Sequence, residues 1–411
     1  MSSEAVRPSV PWIPERWQHV ARACDPRVLA PTFLLCGLGL LSLAADRPDL
    51  VMSQLRWMLV GAALALAVVV LPFRRLLDLI YPGYLLALVA LVLLFAGFGR
   101  STNGATRWLQ IGGFGLQPSE FAKVAVVAVL AHYVRFRRDQ RTLRGLVGPF
   151  VLTLVPLALI MKQPDLGTAL MLVPVLFVVL WAAGARPRHL GTVVALAVLS
   201  LPLLWATVVK DYQKQRVRGF VAPVVATLEG HLGRAAAPES SATETREARL
   251  ERRRLAREQA DRDYHRDRSL AAIASGGVAG HGFAQGPMNC ANAVPESETD
   301  FVFTVHAEEW GFVGVGVLLL LELALLSGLA ATAREVKEPA ARLLAVGTLT
   351  LLGTQAAVNI AMTLGLAPIT GLPLPFLSYG GSSMCSSWLL LGLSLNARAQ
   401  RPLVFTERDF D

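Results

Sequence analysis

The polar residues that could do chemistry are confined to four short segments between long apolar runs: residues 103–120, 162–168, 210–218 and 295–303. The last segment holds three carboxylates, Glu296, Glu298 and Asp300, and the other three segments together hold six lysines and arginines. A carboxylate can take or give a proton, and lysine or arginine can bind a phosphate. Together they could act on an anionic lipid headgroup, although an ion or solute transporter would carry a similar set.

Long apolar runs must position these segments. The chain is 54% hydrophobic and 17% charged, which is too apolar for an ordinary soluble protein of 411 residues. Its single runs reach roughly 17–24 residues, enough for a helix to cross a hydrocarbon core of about 30 Å. The uncharged runs are 28–45, 57–73, 79–99, 145–161, 166–185, 189–209, 310–333 (broken by Glu322) and 343–397, which has room for two spans.

A further span is predicted over residues 117–134, which are apolar except for Glu120, Lys123 and His132. On a helix Glu120 and Lys123 share a face and can pair. Intramembrane charges usually face a wet cavity and serve function, whereas the alternative is an ion pair that only fixes helix packing. Since backbone groups in lipid must bond internally, the sequence predicts an all-α polytopic membrane protein with about ten transmembrane helices.

The basic residues indicate how the chain is oriented. The short loops on one side hold fourteen lysines and arginines, at residues 74–75, 135–144, 186–188, 334–342 and 398–401, and those on the other side hold five. This positive-inside bias predicts a multi-pass membrane protein with both termini in the cytoplasm. The net charge of +9 therefore reflects topology and does not indicate a nucleic-acid partner.

The predicted organisation has six parts, one of them nested in another. They are a cytoplasmic tail (1–27), helices 1–7 (28–209), a large extracytoplasmic loop between helices 7 and 8 (210–301) with a charged insertion at about 235–268, helices 8–10 (302–397) and a cytoplasmic tail (398–411). Within the last helices, residues 365–381 contain three prolines and four glycines and cannot continue a helix. We predict a re-entrant, cavity-lining segment with a polar tip at Ser378, although a plain turn would also fit. The glycines of 269–286 suit close approach of the backbone to a ligand.

Several kinds of site find no support in the sequence. The four cysteines show neither a disulfide framework nor metal-type spacing, and no strand–glycine–lysine phosphate loop is present. No Ser-x-x-Lys nucleophile motif occurs in a soluble segment. The sequence shows no cluster of metal ligands. Whether a divalent cation, Mg²⁺ or Mn²⁺, serves as a cofactor stays an open question at this point.

Six longer motifs resemble one family. They are GATRW (104–108), QPSE (117–120) followed by Lys123, KQPDLGT (162–168), ETDFVF (298–303), AEEWG (307–311) and GLPLPFLSYGGSS (371–383). They are similar, in order and topology, to the SEDS family of shape, elongation, division and sporulation proteins, whose members include RodA and FtsW. Residues 162–168 and 210–216 look more like the RodA branch, of cell elongation, than the FtsW branch, of division.

The resemblance implies a peptidoglycan glycosyltransferase that polymerises lipid II. In that reaction an acceptor hydroxyl attacks the anomeric carbon of the donor sugar and undecaprenyl pyrophosphate leaves. The family's catalytic aspartate falls on Asp300, which on the alternative interpretation is only the N-cap of span eight, a role open to Thr299 as well. The other candidate substrate-binding residues, some for the diphosphate and some for the sugar or for cavity shape, are Arg107, Trp108, Glu120, Lys123, Asp165, Arg216, Arg218 and Ser378. Trp108 could instead anchor at the membrane interface, and Asp165 could cap a turn.

The chain also departs from the family pattern. Residues 224–263 look about thirty residues longer than the usual loop, and position 298 is Glu where relatives often carry His. Two other functions remain open: a flippase that moves lipid II across the membrane, and a hub that only recruits a transpeptidase. By resemblance, the expected partners are a class B penicillin-binding protein and other membrane proteins of the elongation complex.

Overall fold

The computed structural model describes residues 20–102, 105–111, 114–137, 139–163, 165–207, 260 and 264–399. These parts contain ten helices of at least 17 residues. They are α1 (Pro26–Asp46), α2 (Val51–Val70), α3 (Phe73–Leu93), α4 (Pro118–Val134), α5 (Leu143–Lys162), α6 (Leu166–Ala182), α7 (Pro187–Thr207), α8 (Val302–Glu335), α9 (Pro339–Thr363) and α10 (Gly381–Arg398). Six of the helical segments are long and apolar enough to cross a membrane. The chain is therefore a multi-pass membrane protein, and a count of ten crossings stays a prediction.

Local sequence sets where several helices begin. The side chains of Asp25, Thr142, Asp165 and Glu338 each accept a hydrogen bond from a backbone N–H in the first turn of α1, α5, α6 and α9. Such caps satisfy donors that the first turn of a helix leaves without a partner. The helix starts therefore follow from residue type as well as from the apolar runs.

Helices α4, α9 and α10 form the inside of the bundle. Most of their residues are buried, and α10 packs along α2 while α1 packs along α8. A β-carbon at Gly392 would lie 2.8 Å from the backbone of Ala65, so only glycine lets α10 approach α2 this closely. Small residues at such contacts are typical of helix packing in membranes.

Charged residues tie together one end of the bundle. Arg27, at the start of α1, pairs with Asp25 at 3.2 Å and with Glu335 at 2.8 Å. Arg398, at the end of α10, pairs with Asp25 and also with Glu335 at 3.3 Å. These two acids and two bases, the end cluster, link α1, α8 and α10 where the helices leave the apolar layer.

A small antiparallel sheet corrects the all-α prediction. Strands β1 (Gly99–Thr102), β2 (Ala105–Ile111) and β3 (Phe114–Leu116) pair in that order, with Gly99 opposite Leu109 and Leu109 opposite Leu116. The sequence carries a sign of it, because an Asn-Gly dipeptide such as 103–104 favours a two-residue hairpin. A prediction based on apolar runs alone does not include this signal.

Helix α8 is broken near its start. Gly311 has φ 62° and ψ −162°, which is not helical and separates Val302–Trp310 from the rest. The glycine-rich stretch packs into this break, where the N–H groups of Phe312 and Val313 donate to the carbonyls of Gly277 and Val278 at 2.9 and 3.1 Å. The close approach predicted for these glycines is therefore to α8 in the described structure and not to the cavity.

The Pro/Gly segment, residues 364–380, joins α9 to α10 without helical structure. In its second half the side chains of Leu372, Leu374, Phe376 and Leu377 are buried, whereas Leu366 in the first half is exposed. Gln54 of α2 fixes the far end, because its amide donates to the carbonyl of Ser378 at 2.9 Å and accepts from the N–H of Gly380 at 3.3 Å. Non-helical backbone at this depth is held by protein partners, as a lipid environment requires.

Candidate active site

A cavity of about 600 Å³ lies where the sheet, the starts of α4, α6 and α10, the Pro/Gly segment and the turn before α8 meet. Four of its wall residues are predicted site residues: Arg107, Trp108, Asp165 and Asp300. The remaining polar or aromatic members of the wall are Gln117, His265, Glu296, Thr299, Phe301, Thr370, Tyr379, Ser382 and Ser383. Segments far apart in sequence therefore converge on one site.

Asp300 has the most perturbed carboxyl group in this cavity. Burial raises its pKa from 3.8 to about 7, and the carboxylates of Glu296 and Asp165 push it in the same direction, while Arg107 opposes them. A carboxyl with a pKa near neutrality can exchange a proton at physiological pH. Asp300 can therefore serve as a general base or acid.

The turn that carries Asp300 is built by backbone contacts. The N–H of Phe301 donates to the carbonyl of Glu296 at 3.1 Å, and the N–H of Tyr379 donates to the carbonyl of Glu298 at 2.9 Å. Helix α8 has Phe301 at its N-cap and no side-chain cap. The interpretation of Asp300 or Thr299 as a helix cap is therefore wrong, and the Asp300 carboxylate stays available to the cavity.

Arg107 and Trp108 reach the cavity from strand β2. The Arg107 guanidinium donates through Nε to the carbonyl of Gln163 at 3.2 Å, which ties the sheet to the end of α5. The Trp108 ring lies against Gly115 of the next strand, where a β-carbon would come within 3.3 Å. The sheet thus presents a cation and an aromatic ring side by side on the wall.

Asp165 has the capping role that the sequence left open, and it also lines the cavity. Its Oδ1 accepts from the Thr168 N–H at 3.2 Å, and Oδ2 lies 3.4 Å from both Gln117 Nε2 and Ser119 Oγ. The carboxylate therefore fixes the start of α6 against the start of α4. At the same time it adds negative charge next to Asp300.

Glu120 and Lys123 are not part of the cavity wall. They form a buried ion pair at 2.8 Å, with side chains 3% and 2% exposed. Ser386 donates to Glu120 at 2.8 Å, and Lys123 donates to Gln355 at 2.9 Å. The structure therefore places this pair behind the wall, where it supports α4, α9 and α10. This position agrees with the alternative of an ion pair that fixes helix packing, and a contact of Lys123 with a diphosphate stays a prediction.

Ser378 also lies outside the wall. It is buried, and its Oγ accepts from the Leu374 N–H at 2.8 Å, which closes a turn of the Pro/Gly segment. Its predicted role at the substrate becomes one of shaping this segment. Arg216 and Arg218 fall outside the described residues, as does most of the charged insertion.

Sequence reasoning missed His265 as a wall residue. It stands near the end of the charged insertion, a run whose composition is typical of a solvent-exposed segment. The centre of its ring lies 6.1 Å from the centre of the Phe301 ring. Within the described parts of the chain, no group of three or more His, Cys, Asp or Glu residues could hold a metal ion.

Comparisons with known proteins place the chain in a family. The FtsW/RodA/SpoVE family, described as cell cycle proteins, matches residues 41–234 and 243–402. The peptidoglycan glycosyltransferase RodA of Treponema pallidum is 33% identical over 397 residues, covering 84% of this chain and 89% of that protein. The probable peptidoglycan glycosyltransferase FtsW of Geobacter metallireducens is 32% identical over 342 residues, covering 82% of each.

A solved structure is similar over nearly the whole chain. Its description reads "Structural coordination of polymerization and crosslinking by a peptidoglycan synthase complex". The two chains superimpose with a TM-score of 0.70 at 31% identity, covering 94% of this chain and 98% of the other. With a family match over most of its length and relatives above 30% identity, the chain belongs to the FtsW/RodA/SpoVE family.

Proposed function

We propose that this chain is a peptidoglycan glycosyltransferase that polymerises lipid II into glycan strands, with Asp300 as the general base. The observation that carries the proposal is the Asp300 carboxyl, whose pKa of about 7 suits proton exchange inside a cavity that Arg107 also lines. The named relatives support the class of reaction, since they are peptidoglycan glycosyltransferases of both the RodA and FtsW kinds.

The reaction needs a base and a stabilised leaving group. As the 4-hydroxyl oxygen of the acceptor sugar attacks the anomeric carbon of the donor, Asp300 takes the hydroxyl proton. The bond from the anomeric carbon to the undecaprenyl pyrophosphate breaks, and the pyrophosphate leaves with both electrons of that bond. Positive charge aimed at the leaving oxygen lowers the barrier, a role that we assign to Arg107 and, from the sequence, to Arg216 and Arg218.

The walls fit the two ends of such a substrate. Trp108 offers a flat apolar face that suits a sugar ring, and Tyr379, Ser382 and Ser383 line the cavity with hydroxyl groups. The surrounding helices keep the polyprenyl chain in the bilayer while the headgroup enters the cavity. We place the cavity on the extracytoplasmic side of a bacterial inner membrane, with both termini in the cytoplasm, because of the positive-inside bias.

We assign the chain to cell elongation because residues 162–168 and 210–216 resemble RodA, while relatives of the FtsW kind leave a division role as the alternative. We further propose a class B penicillin-binding protein as partner, since the similar solved structure is described as a polymerising and crosslinking complex. Other membrane proteins of the elongation complex are expected to join through the same partner.

Purified protein mixed with lipid II tests the enzyme against a flippase. Wild type is expected to make glycan strands on a polyacrylamide gel, and Asp300→Asn to make none at equal folded yield. The matched control is Asp267→Asn, which makes the same chemical change on an exposed carboxylate outside the cavity wall and is expected to keep activity within about twofold. A flippase needs no base at position 300, so normal polymerisation by Asp300→Asn overturns the catalytic assignment, and no polymer from wild type overturns the function.

A further inference from the structure

Asn359 of α9 is fully buried and bonds to two separate pieces of the site. Its Nδ2 donates to the carbonyl of Asp300 at 2.9 Å and to the carbonyl of Leu372 at 2.6 Å. The first carbonyl belongs to the turn that carries the candidate base, and the second belongs to the Pro/Gly segment. One amide therefore joins the base to the wall that it faces.

The two pieces are in close contact at this point. Gly371, next to Leu372, has φ +71°, and a β-carbon there would lie 3.5 Å from Oδ2 of Asp300. The Gly371 backbone is thus the surface against which the carboxylate rests. A shift of either carbonyl held by Asn359 would change the direction in which the carboxylate points into the cavity.

The amide of Asn359 can face only one way. Its Oδ1 is buried and has no hydrogen-bond partner among the described residues. Turning the amide over would give Oδ1 no donor to accept from and would set it against two carbonyl oxygens, losing both donated bonds. A buried acceptor without a partner destabilises a protein. The two hydrogen bonds donated by Nδ2 therefore explain best why an asparagine stands at position 359.

Gln355, one turn earlier on α9, shows that the wall is also held independently. It donates to the carbonyl of Pro373 at 2.8 Å and accepts from Lys123 at 2.9 Å. Gln355 thus fixes the Pro/Gly segment to the buried ion pair, whereas Asn359 adds the bond to the Asp300 peptide. Removing Asn359 leaves the wall supported and frees the turn of the base.

We propose that Asn359 is a positioning residue that sets the distance and direction of the Asp300 carboxylate by holding the Asp300 and Leu372 carbonyls together. The proposal rests on the proposed function, because it concerns the base of that reaction. Proton transfer depends steeply on geometry, and a misplacement of about 1 Å can slow a reaction about a hundredfold. Asn359 is fully buried and is not part of the cavity wall, so its loss should lower kcat and leave KM unchanged.

The test compares Asn359→Leu with Asn396→Leu in purified protein polymerising lipid II. Asn396 is also a buried asparagine of the bundle, and its Nδ2 donates to the carbonyls of Val68 and Leu71 at 2.6 and 2.7 Å. It lies about 20 Å along α10 from the cavity residue Ser382. The control therefore removes the same chemistry at a site away from Asp300.

For Asn359→Leu we expect kcat to fall ten- to a hundredfold with KM within twofold, and the acid limb of the pH–rate profile to move to lower pH as the carboxyl leaves its buried position. Asn396→Leu is expected to lower the melting temperature to a similar extent while keeping kcat and the acid limb. If Asn359→Leu does not fold, Asn359→Ser, which keeps one hydroxyl donor, is expected to fold and to give an intermediate kcat.

The inference is overturned if the Asn359 variants keep kcat within twofold, if both asparagine positions lose kcat in the same proportion, or if the acid limb stays in place. When wild type polymerises lipid II and Asp300→Asn does not, such a result refutes the role of Asn359 alone. A wild type that makes no glycan refutes the proposed function and this inference with it.

Discussion

Replacing Asp300 by asparagine should stabilise the protein, and more so as the pH rises. The pKa of Asp300 is about 7 in the folded protein against an ordinary 3.8. Between these values the folded state binds a proton that the unfolded state has released, so the free energy of unfolding falls as pH rises. At 1.36 kcal/mol for each pH unit, the interval corresponds to about 4 kcal/mol, which is an upper limit on what Asp300→Asn recovers.

The pH dependence distinguishes this effect from a general gain in stability. Near pH 4 the variant and wild type should unfold at the same free energy. The difference should then grow by about 1.4 kcal/mol for each pH unit and level off above pH 7. Unfolding temperatures of the detergent-solubilised protein, followed by tryptophan fluorescence from pH 5 to 8.5, measure the trend.

Asp267→Asn is the matched control for this measurement. Asp267 is a carboxylate whose side chain is 66% exposed and pairs with Arg266 at the surface. Its replacement should change the free energy of unfolding by less than about 0.5 kcal/mol at every pH. A constant difference for Asp300→Asn across the whole range would refute the view that burial and neighbouring carboxylates hold this group near neutrality.

Three further predictions concern the site and its support. Lys123→Met should destabilise the protein by about 3–5 kcal/mol by leaving Glu120 buried and unpaired, and Glu120→Gln added to it should restore part of the loss in the melting temperature. Arg107→Ala should move the acid limb of the pH–rate profile above pH 7, because Arg107 lowers the pKa of Asp300; an unchanged limb would contradict this. Gly311→Ala should reduce folded yield through a cost of at least about 2 kcal/mol, since φ there is +62° and the added carbon would lie 2.3 Å from a backbone nitrogen of Gly280.

The membrane helices could be predicted from sequence because the bilayer imposes one length and one kind of backbone bonding. The run 28–45, for example, becomes α1 at Pro26–Asp46. The break at Gly311 could not be predicted in this way, since the run 310–333 is as apolar as a straight span. It arises because the glycine-rich stretch supplies the backbone partners that the helix lacks there.

The site was predictable only in part, for a different physical reason. Arg107, Asp165 and Asp300 lie in segments that composition singles out, but their meeting depends on how the helices pack, which no single segment records. Lys123 was expected at the substrate through the family resemblance, whereas its predicted pairing with Glu120 followed from their spacing. The structure shows the pair, with a further bond from Lys123 to Gln355, behind the cavity wall. His265 gave no signal, because a lone histidine in a charged run looks the same whether it faces water or a cavity.

The end cluster also bears on the order in which the protein is made. Asp25 is synthesised before α1, whereas Arg398 follows only when α10, the last described helix, has been translated. During synthesis Arg27 therefore has Asp25 as a partner from the start, and Glu335 joins the pair later, at the end of α8. Asp25, 2% exposed in the folded bundle, gains its second basic partner last. The cluster thus makes the earliest and latest described helices depend on each other, because only a chain translated through α10 supplies Arg398 to Asp25.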